Sequence, residues 1–326
     1  MNASSSAVVA GERASRGVPG GRAGPRIPVP RRRRYDSTLT WKYRRSIALA
    51  LAPAVAIFGT IFVVPIGTLL VTSLFTWDSS GLEFAGIENF RRLLEDAAFW
   101  AAMRVQTIWL AASTLVHVPL AVIVALILAR KMPGWKVFRT VFFLPNIVSY
   151  AALAMVFVAF YNARYGMLNE SLSGIGLSEL RQDWLFTPGT ALAAIIATWL
   201  FHVGLFTVII MAEIASIPES LYEAATVDGA RPWQRDLFIT LPLLRTVIGT
   251  CMILAATMSL IYFEGIFLMT GGGPADATLN LPMFAYRHYS QFNWGYANAI
   301  GVVILLLGIL AILTIRRVFR VRDAAR

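Results

Sequence analysis

The chain has 326 residues, of which 57% are hydrophobic and 14% are charged. A mean hydropathy of +0.64 is too apolar for an ordinary soluble domain of this length, so we expect an integral membrane protein. The formal net charge of +11 raises the alternative of nucleic-acid binding. The basic residues, however, are concentrated in the tails and in loops on one predicted membrane face, where insertion topology and anionic lipid account for them more simply.

The N-terminal part of the chain differs from the rest in composition. Up to about Arg34 it is rich in Gly, Pro, Ser and Arg and lacks the apolar residues that a packed core needs, so we predict a disordered, arginine-rich segment over 1–46. The apolar stretch that follows, 47–75, is longer than the core of a signal peptide and has no small-residue cleavage pattern at its end. We therefore expect it to remain as a membrane span.

Six stretches reach or approach the length of about 20 apolar residues that a helix needs to cross a bilayer. They are 47–75, 105–129, 141–161, 190–212, 246–269 and 297–315. The predicted fold class is therefore an all-α integral membrane protein with six transmembrane helices. The single cysteine, Cys251, lies in the fifth stretch, so an intrachain disulfide is excluded.

The basic residues predict the orientation of these spans. The two tails and the loops 130–140 and 213–245 hold 23 of the 29 lysines and arginines, whereas the three opposite loops hold five. Because cytoplasmic loops carry the excess of Lys and Arg, both termini and these two loops are predicted to be cytoplasmic. The remaining basic residue, Arg104, lies at the outer end of the second predicted span.

The cytoplasmic loop 213–245 contains a short polar helix-turn-helix. Ser216 and Glu219 have the spacing of a capping box, which predicts the start of a helix. Gly229 is expected to end this helix in a left-handed conformation, and Pro232 to begin a second short helix that runs until the next proline. Small residues in the first helix leave a flat face with acids at its edges, which suits contact with a partner better than a deep core.

The residues of this loop form an extended motif. The alternative to a functional motif is a chance match in an ordinary amphipathic loop. The motif consists of Glu223, Ala224, Ala225, Asp228, Gly229 and Ala230, followed by Ile239, Leu241 and Pro242. It resembles the cytoplasmic EAA loop of binding-protein-dependent ABC importer permeases. The resemblance implies that the first six of these residues couple the chain to ATPase subunits. The chain departs from the family at Asp236, where an aromatic residue is usual, and at Thr246, where proline is common.

Sequence motifs of enzymes are missing from the chain. It has no GxxxxGK[ST] phosphate loop, no HExxH, no paired-cysteine metal spacing and no GxSxG, and its three histidines are far apart in sequence. We therefore expect no enzymatic activity, no metal and no cofactor in this chain; the resemblance implies that ATP and Mg²⁺ are bound by partner ATPase subunits. An ion-coupled secondary carrier is the alternative, but it predicts several buried ionisable groups, and Glu264 is the only acid well inside a span.

A second resemblance narrows the family. The sequence Thr270-Gly-Gly-Gly-Pro274 is followed by an aromatic run through Tyr286, Tyr289, Phe292, Trp294 and Tyr296. Over 47–318 the chain resembles carbohydrate-importer permeases of the maltose and glycerol-phosphate type. This implies a type I ABC importer permease domain over 47–318, a cytoplasmic tail over 319–326, and transport of a sugar, oligosaccharide, glycerol phosphate or polyol. A permease for a non-sugar solute remains an alternative.

Candidate substrate-binding residues lie in two spans. A site for a sugar needs hydrogen-bonding side chains and aromatic platforms. The candidates are Ser259, Tyr262 and Glu264 in the fifth span and Thr198, Trp199 and His202 in the fourth. By resemblance, Ser259 and Tyr262 match positions that contact sugar in the maltose importer, and their spacing places them on one helical face. The alternative is that the hydroxyls bond to their own helix and the aromatic rings pack against neighbours.

Three ionisable residues inside spans need partners. Glu264 would cost about 2.5–3.5 kcal/mol at a helix centre on insertion scales, so we expect it either to pair with a residue such as Arg104 or to line the translocation path. His117 and His202 are expected to form hydrogen bonds between helices rather than to act as ligands.

The resemblance also implies an assembly. The expected partners are a second permease in a heterodimer, two ATP-binding cassette subunits, an extracytoplasmic substrate-binding protein and membrane lipid, but no nucleic acid. The expected location is the bacterial cytoplasmic membrane, which the chain crosses several times. Closure of the ATPase pair would move the EAA helix as a lever and switch the membrane domains between inward-facing and outward-facing states.

Overall fold

The computed structural model of the chain describes residues 37–319, without the side chains of 37–42 and Arg45. Most of the segment predicted to be disordered, residues 1–36, and the end of the predicted tail, 320–326, lie outside the described residues. The first helix begins at Ser37, ahead of the predicted boundary at residue 46. Lys and Arg are good helix formers, so the helix extends beyond the apolar stretch.

The described residues are mainly helical. The α-helices are α1 (Ser37–Phe58), α2 (Val64–Thr72), α3 (Glu88–Glu95), α4 (Ala97–Ala112), α5 (Val118–Ala129), α6 (Trp135–Phe143), α7 (Tyr150–Phe160), α8 (Met167–Gly174), α9 (Ala191–Leu200), α10 (Gly204–Ile214), α11 (Glu219–Val227), α12 (Pro232–Arg235), α13 (Leu241–Leu243), α14 (Arg245–Leu260), α15 (Glu264–Met269), α16 (Leu281–Ser290) and α17 (Trp294–Phe319). The strands β1 (Phe75–Asp78) and β2 (Gly81–Phe84) form an antiparallel hairpin, which the all-α prediction did not include.

Several long helices contain short segments of different helical pitch. One π-helical segment, Ser113–His117, joins α4 to α5, and a 3₁₀ turn, Phe201–Val203, joins α9 to α10. The helix formed by α4 and α5 begins at Ala97 rather than at the predicted residue 105, because the Asp96 side chain accepts a hydrogen bond of 2.8 Å from the Ala98 amide and caps it.

Four helices in the described part of the chain are long and apolar enough to cross a membrane. They are Ser46–Thr72, Ala97–Ala129, Ala191–Ile214 and Trp294–Phe319. Two further helix pairs pass the same test of length and composition but are bent, by 99° between α6 and α7 and by 68° between α13 and α14. Counting each bent pair as one span gives six. The 99° bend follows a 3₁₀ turn, Leu144–Asn146, that contains a proline. Proline has no backbone N–H to donate, so it interrupts the helical hydrogen bonds.

The helices between residues 60 and 319 pack around two buried clusters. In one, α5 packs on α10 through Val118, Ala121, Phe206 and Ile210, and Cys251 of α14 lies against them. Small side chains such as alanine let neighbouring helices approach closely. The other cluster is larger and rich in aromatic residues, and it draws on α4, α7, α9, α15, α16 and α17. It contains the residues that form one of the two candidate sites.

Candidate functional site

The cytoplasmic helix-turn-helix forms, but its start differs from the prediction. The predicted capping box is wrong: α11 begins after Pro218 with no side-chain cap. The Ser216 hydroxyl donates instead to the Glu213 carbonyl oxygen at 2.8 Å. Ser216 belongs to the turn that closes α10, so its hydroxyl bonds backwards to the preceding helix rather than forwards to the next one.

The turn at Gly229 is confirmed. Its φ is +76°, which is the left-handed conformation that favours glycine. The Gly229 amide donates to the Thr226 carbonyl at 3.0 Å and the Ala230 amide to the Ala225 carbonyl at 2.9 Å. This pair of hydrogen bonds is the Schellman motif, which satisfies the last carbonyls of α11. A Cβ on Gly229 would meet no atom within 4 Å, so the requirement for glycine comes from the backbone.

The two arms of the helix-turn-helix are joined by side chains. The second arm begins at Pro232, as predicted, and continues through a π-helical segment, Asp236–Thr240, into α13. The Arg235 guanidinium donates to the Thr226 hydroxyl at 3.1 Å. The hydroxyls of Tyr222 and Thr240 are 3.0 Å apart and hydrogen-bonded. These contacts make residues 219–243 one unit, which we call the coupling element.

The surface of the coupling element is exposed and partly apolar. Of the six predicted coupling residues, Glu223, Ala224, Asp228 and Gly229 are exposed, and Ala225 and Ala230 are half-buried. Val227, which the sequence analysis overlooked, has 88% of its surface exposed beside them. Trp233 and Phe238 of the second arm are also exposed. Exposed apolar side chains on an element that is predicted to lie outside the membrane are suited to contact with another protein.

The second candidate site is a group of stacked rings between four helices. We call Trp109, Tyr150, Trp199, His202 and Tyr262 the central aromatic cluster. The Tyr262 ring lies parallel to Trp109, with centroids 4.6 Å apart, and edge-on to Trp199 at 4.8 Å. Tyr150 lies 4.4 Å from the His202 ring and is stacked on Trp199 at 5.6 Å.

Tyr262 is brought into this cluster by a break in the fifth predicted span. Helix α14 ends at Leu260 and α15 begins at Glu264, so the predicted shared helical face of Ser259 and Tyr262 is wrong. The Asn280 side-chain amide donates to the Tyr262 carbonyl oxygen at 2.6 Å, which satisfies an acceptor that the broken helix leaves free. Gly265 leaves room for the Tyr262 hydroxyl, since a Cβ there would overlap with it.

The hydroxyls of the other two polar candidates are used within their own helices. Ser259 Oγ donates to the Ala256 carbonyl at 2.7 Å, and Thr198 Oγ1 donates to the Ala194 carbonyl at 3.1 Å. Both side chains are buried. Each hydroxyl oxygen keeps a free acceptor position, but its hydrogen is engaged.

The two buried histidines lie among aromatic rings. Neither ring nitrogen of His117 or His202 has a hydrogen-bond partner among the described residues, and both side chains are buried. Their neighbours are rings: His117 lies 5.2 Å from Phe206, centroid to centroid. Aromatic side chains from three helices surround the imidazoles, and interhelical hydrogen bonds from the two histidines stay a prediction.

Other buried polar atoms near the cluster also have no partner among the described residues. They are the indole nitrogens of Trp109 and Trp199, Gln106 Oε1 and Ser113 Oγ. Gln106, Trp109, Ser113 and His117 follow each other at helical spacing and lie on one face of the helix formed by α4 and α5. The cluster therefore combines aromatic ring faces with unused donors and acceptors, a combination suited to a solute with many hydroxyls and apolar C–H faces.

Glu264 lies at the edge of the central aromatic cluster, within electrostatic range of Tyr150 and Tyr262. It is exposed at the first turn of α15, where its negative charge interacts favourably with the helix dipole. No ion pair within residues 37–319 includes Glu264 or Arg104, so the suggested pairing is not observed. Within the same residues, no group of three or more His, Cys, Asp or Glu side chains is placed to hold a metal ion.

Trp109 and Tyr150 were missed by the sequence analysis. They lie in the second predicted span and in the third, 90 and 49 residues before Trp199 respectively. A periodic pattern relates residues on one helix, but the contacts here join different helices. The sequence contains no spacing that would have assigned these two residues to the same site as Tyr262.

Comparisons with known proteins show the family of the chain. Residues 117–322 match the family described as binding-protein-dependent transport system inner membrane component. The chain is 34% identical over 286 residues to the sulfoquinovosyl glycerol transport system permease protein SmoG of Agrobacterium fabrum. This alignment covers 84% of this chain and 90% of SmoG. It is 32% identical over 286 residues to the lactose transport system permease protein LacF of Rhizobium radiobacter, with 84% and 93% covered.

A solved structure has the same fold. A chain of a bacterial ABC transporter involved in the import of the acidic polysaccharide alginate superposes with a TM-score of 0.76 at 24% sequence identity, covering 87% of this chain and 98% of that one. This likeness identifies the fold as that of a type I ABC importer permease.

Proposed function

Since the chain belongs to the family of binding-protein-dependent transport system inner membrane components, we propose that it is the permease subunit of an ATP-driven importer for a carbohydrate. The observation that carries this proposal is the coupling element, in which four of the six motif residues and Val227 are exposed. Such a surface fits a permease that receives conformational changes from a separate ATPase. ATP and Mg²⁺ would be bound by two partner ATPase subunits and not by this chain.

The proposed topology has six spans, in which the two bent pairs contribute one span each; Pro232–Leu243 of the second pair belongs to the coupling element and would lie outside the membrane. The concentration of Lys and Arg in alternate loops supports a cytoplasmic location for both termini and for the coupling element. The chain would lie in the bacterial cytoplasmic membrane beside a second, non-identical permease. A substrate-binding protein on the opposite face would deliver the solute; a solved alginate transporter with 25% identity to this chain is in complex with a periplasmic protein that carries an alginate pentasaccharide.

The proposed substrate is a sugar, an oligosaccharide, a glycerol phosphate or a polyol. Relatives named for sulfoquinovosyl glycerol, lactose, and trehalose and maltose transport support the class. Tyr262, Trp199 and His202 would supply the ring faces and polar atoms of the site, since they meet in the central aromatic cluster. The remaining candidates, Thr198, Ser259 and Glu264, would contribute through free acceptor oxygens.

Purification of the intact complex tests the proposed function. We expect a tagged chain to copurify with a second permease, two ATPase copies and a binding protein, and we expect a carbohydrate to raise the melting temperature of that binding protein. A binding protein stabilised only by amino acids or metal ions would contradict the proposed substrate class. Purification of the chain without any ATPase, under conditions that preserve other importers, would contradict the proposed assembly.

Replacing Gly229 with Val is expected to weaken assembly with the ATPase. A residue with a Cβ costs about 1–2 kcal/mol in the left-handed conformation, and a branched Cβ restricts the backbone further. Gly229→Asn is the matched control, because asparagine tolerates this conformation. Copurified ATPase per permease measures the effect; we expect a loss of about tenfold for Val, since 1.4 kcal/mol corresponds to that factor, and a smaller loss for Asn. Copurification of the ATPase with Gly229→Val at the wild-type stoichiometry, with normal transport, would show that the turn does not require glycine.

A further inference from the structure

An ion pair connects the coupling element to a membrane helix that is distant in sequence. Arg130 directly follows α5, and Asp236 is the first residue of the π-helical segment in the second arm. Arg130 Nη2 and Asp236 Oδ2 are 2.5 Å apart, and the hydrogen bond joins residues 106 positions apart. Among the ion pairs within residues 37–319, only this one includes a residue of the coupling element.

The Arg130–Asp236 pair is partly shielded from solvent. The Asp236 carboxylate meets the opposite charge at the end of α5, with 26% of the Asp236 side chain exposed and 49% of the Arg130 side chain exposed. Partial burial makes the attraction stronger than that of a fully solvated pair.

The ion pair lies between two parts that are each continuous. On one side, the contacts Arg235–Thr226 and Tyr222–Thr240 tie both arms of the coupling element together, so a displacement of α11 also displaces Asp236. On the other side, α4 and α5 form one helix from Ala97 to Ala129. That helix carries Trp109, whose ring is stacked on Tyr262. The pair thus joins the exposed coupling surface to the helix that forms one wall of the central aromatic cluster.

We propose that Arg130 and Asp236 are a positioning pair that transmits movement of the coupling element to the α4–α5 helix, and through it to Trp109 and Tyr262. The proposal rests on the proposed function, because it assigns a route by which ATP hydrolysis by the partner acts on the solute site. The coupling element also continues directly into α14 along the chain. The ion pair adds a second connection, to the α4–α5 helix, which is distant from the coupling element in sequence.

An ion pair at the surface, even a partly shielded one, contributes little to folding, so its loss should affect coupling rather than assembly. We expect Arg130→Glu and Asp236→Arg each to lower the amount of solute imported per ATP hydrolysed by about fivefold or more, the lower end of typical coupling effects. The amount of assembled complex and its melting temperature should stay close to those of the wild type. The double variant Arg130→Glu/Asp236→Arg restores the opposite charges in reversed order and should recover most of the wild-type ratio.

The experiment uses the complete complex in proteoliposomes, with uptake and ATP hydrolysis measured on the same preparation. Lys131→Glu is the matched control, because it makes the same charge change on the adjacent residue, which forms no ion pair within residues 37–319. The neutral variants Arg130→Gln and Asp236→Asn supply a second cycle if a reversed charge prevents assembly. In that cycle, each single variant should lower the import ratio, and the double variant should be no worse than the more defective single variant.

The outcomes separate this proposal from the proposed function. Wild-type import ratios in the single variants would overturn the positioning role, as would losses that simply multiply in the double variants. A defect of equal size in Lys131→Glu would also overturn it, because the effect would then come from loop charge. A wild-type complex that imports no carbohydrate with ATP would instead overturn the proposed function itself.

Discussion

Substituting Lys for Glu223 is expected to abolish most of the solute-stimulated ATP hydrolysis of the assembled importer. Glu223 lies exposed on α11 beside Val227, at the edge of the surface that we propose meets the ATPase. Reversing a charge within a contact of complementary charges replaces an attraction by a repulsion, and such juxtapositions cost several kcal/mol. Each 1.4 kcal/mol is a factor of ten, so we expect a loss of stimulation of about 100-fold in reconstituted complexes.

The control for Glu223→Lys makes the same change in net charge at a different position. Glu179 is exposed in the loop between α8 and α9, forms no ion pair within the described residues and lies on the predicted outer face. Glu179→Lys should leave both membrane insertion and stimulated hydrolysis unchanged. Wild-type stimulation in Glu223→Lys would remove this residue from the proposed contact with the ATPase.

Replacing Tyr262 with Ala is expected to lower carbohydrate uptake by tenfold or more and to reduce the stability of the complex. The Tyr262 side chain is 8% exposed and stacked on Trp109. Removal of a buried aromatic ring costs about 3–5 kcal/mol through lost contacts and the cavity that remains. A loss of uptake by this variant alone would therefore not distinguish a binding role from a structural one.

Tyr262→Phe makes that distinction. The Tyr262 hydroxyl forms no hydrogen bond with the described residues, so its removal should leave the melting temperature of the complex unchanged. If the hydroxyl binds solute, as we propose, uptake normalised to the amount of complex should still fall by about five- to tenfold, which corresponds to a hydrogen bond of roughly 1–1.5 kcal/mol. Unchanged uptake by Tyr262→Phe together with normal stability would exclude a hydrogen bond from this hydroxyl to the solute.

The coupling element could be predicted from the sequence because its determinants are local. The left-handed turn at Gly229 and the start of the second arm at Pro232 each depend on the backbone preference of one residue. Ser216 shows the limit of such reasoning, because a hydroxyl between two helices has two possible sets of partners. The Ser216 hydroxyl bonds to the Glu213 carbonyl oxygen of the preceding helix. The spacing of residues in the sequence does not predict which of the two helices this hydroxyl contacts.

The central aromatic cluster could be predicted only in part. Trp199, His202 and Tyr262 were identified by residue type and by resemblance, but Trp109 and Tyr150 join them through contacts between helices. The break after Leu260 was also missed. An apolar stretch predicts a span, whereas the end of α14 and the Asn280 contact that satisfies the Tyr262 carbonyl depend on tertiary structure.

ATP-dependent uptake of a radiolabelled carbohydrate by proteoliposomes distinguishes an ATP-driven importer from an ion-coupled carrier. The complete complex is reconstituted with ATP inside the vesicles and the loaded binding protein outside. We expect uptake that requires both ATP and the binding protein and that persists when ionophores collapse the proton and sodium gradients. Uptake that proceeds without ATP and stops when those gradients are collapsed would contradict the account and identify the chain as an ion-coupled carrier.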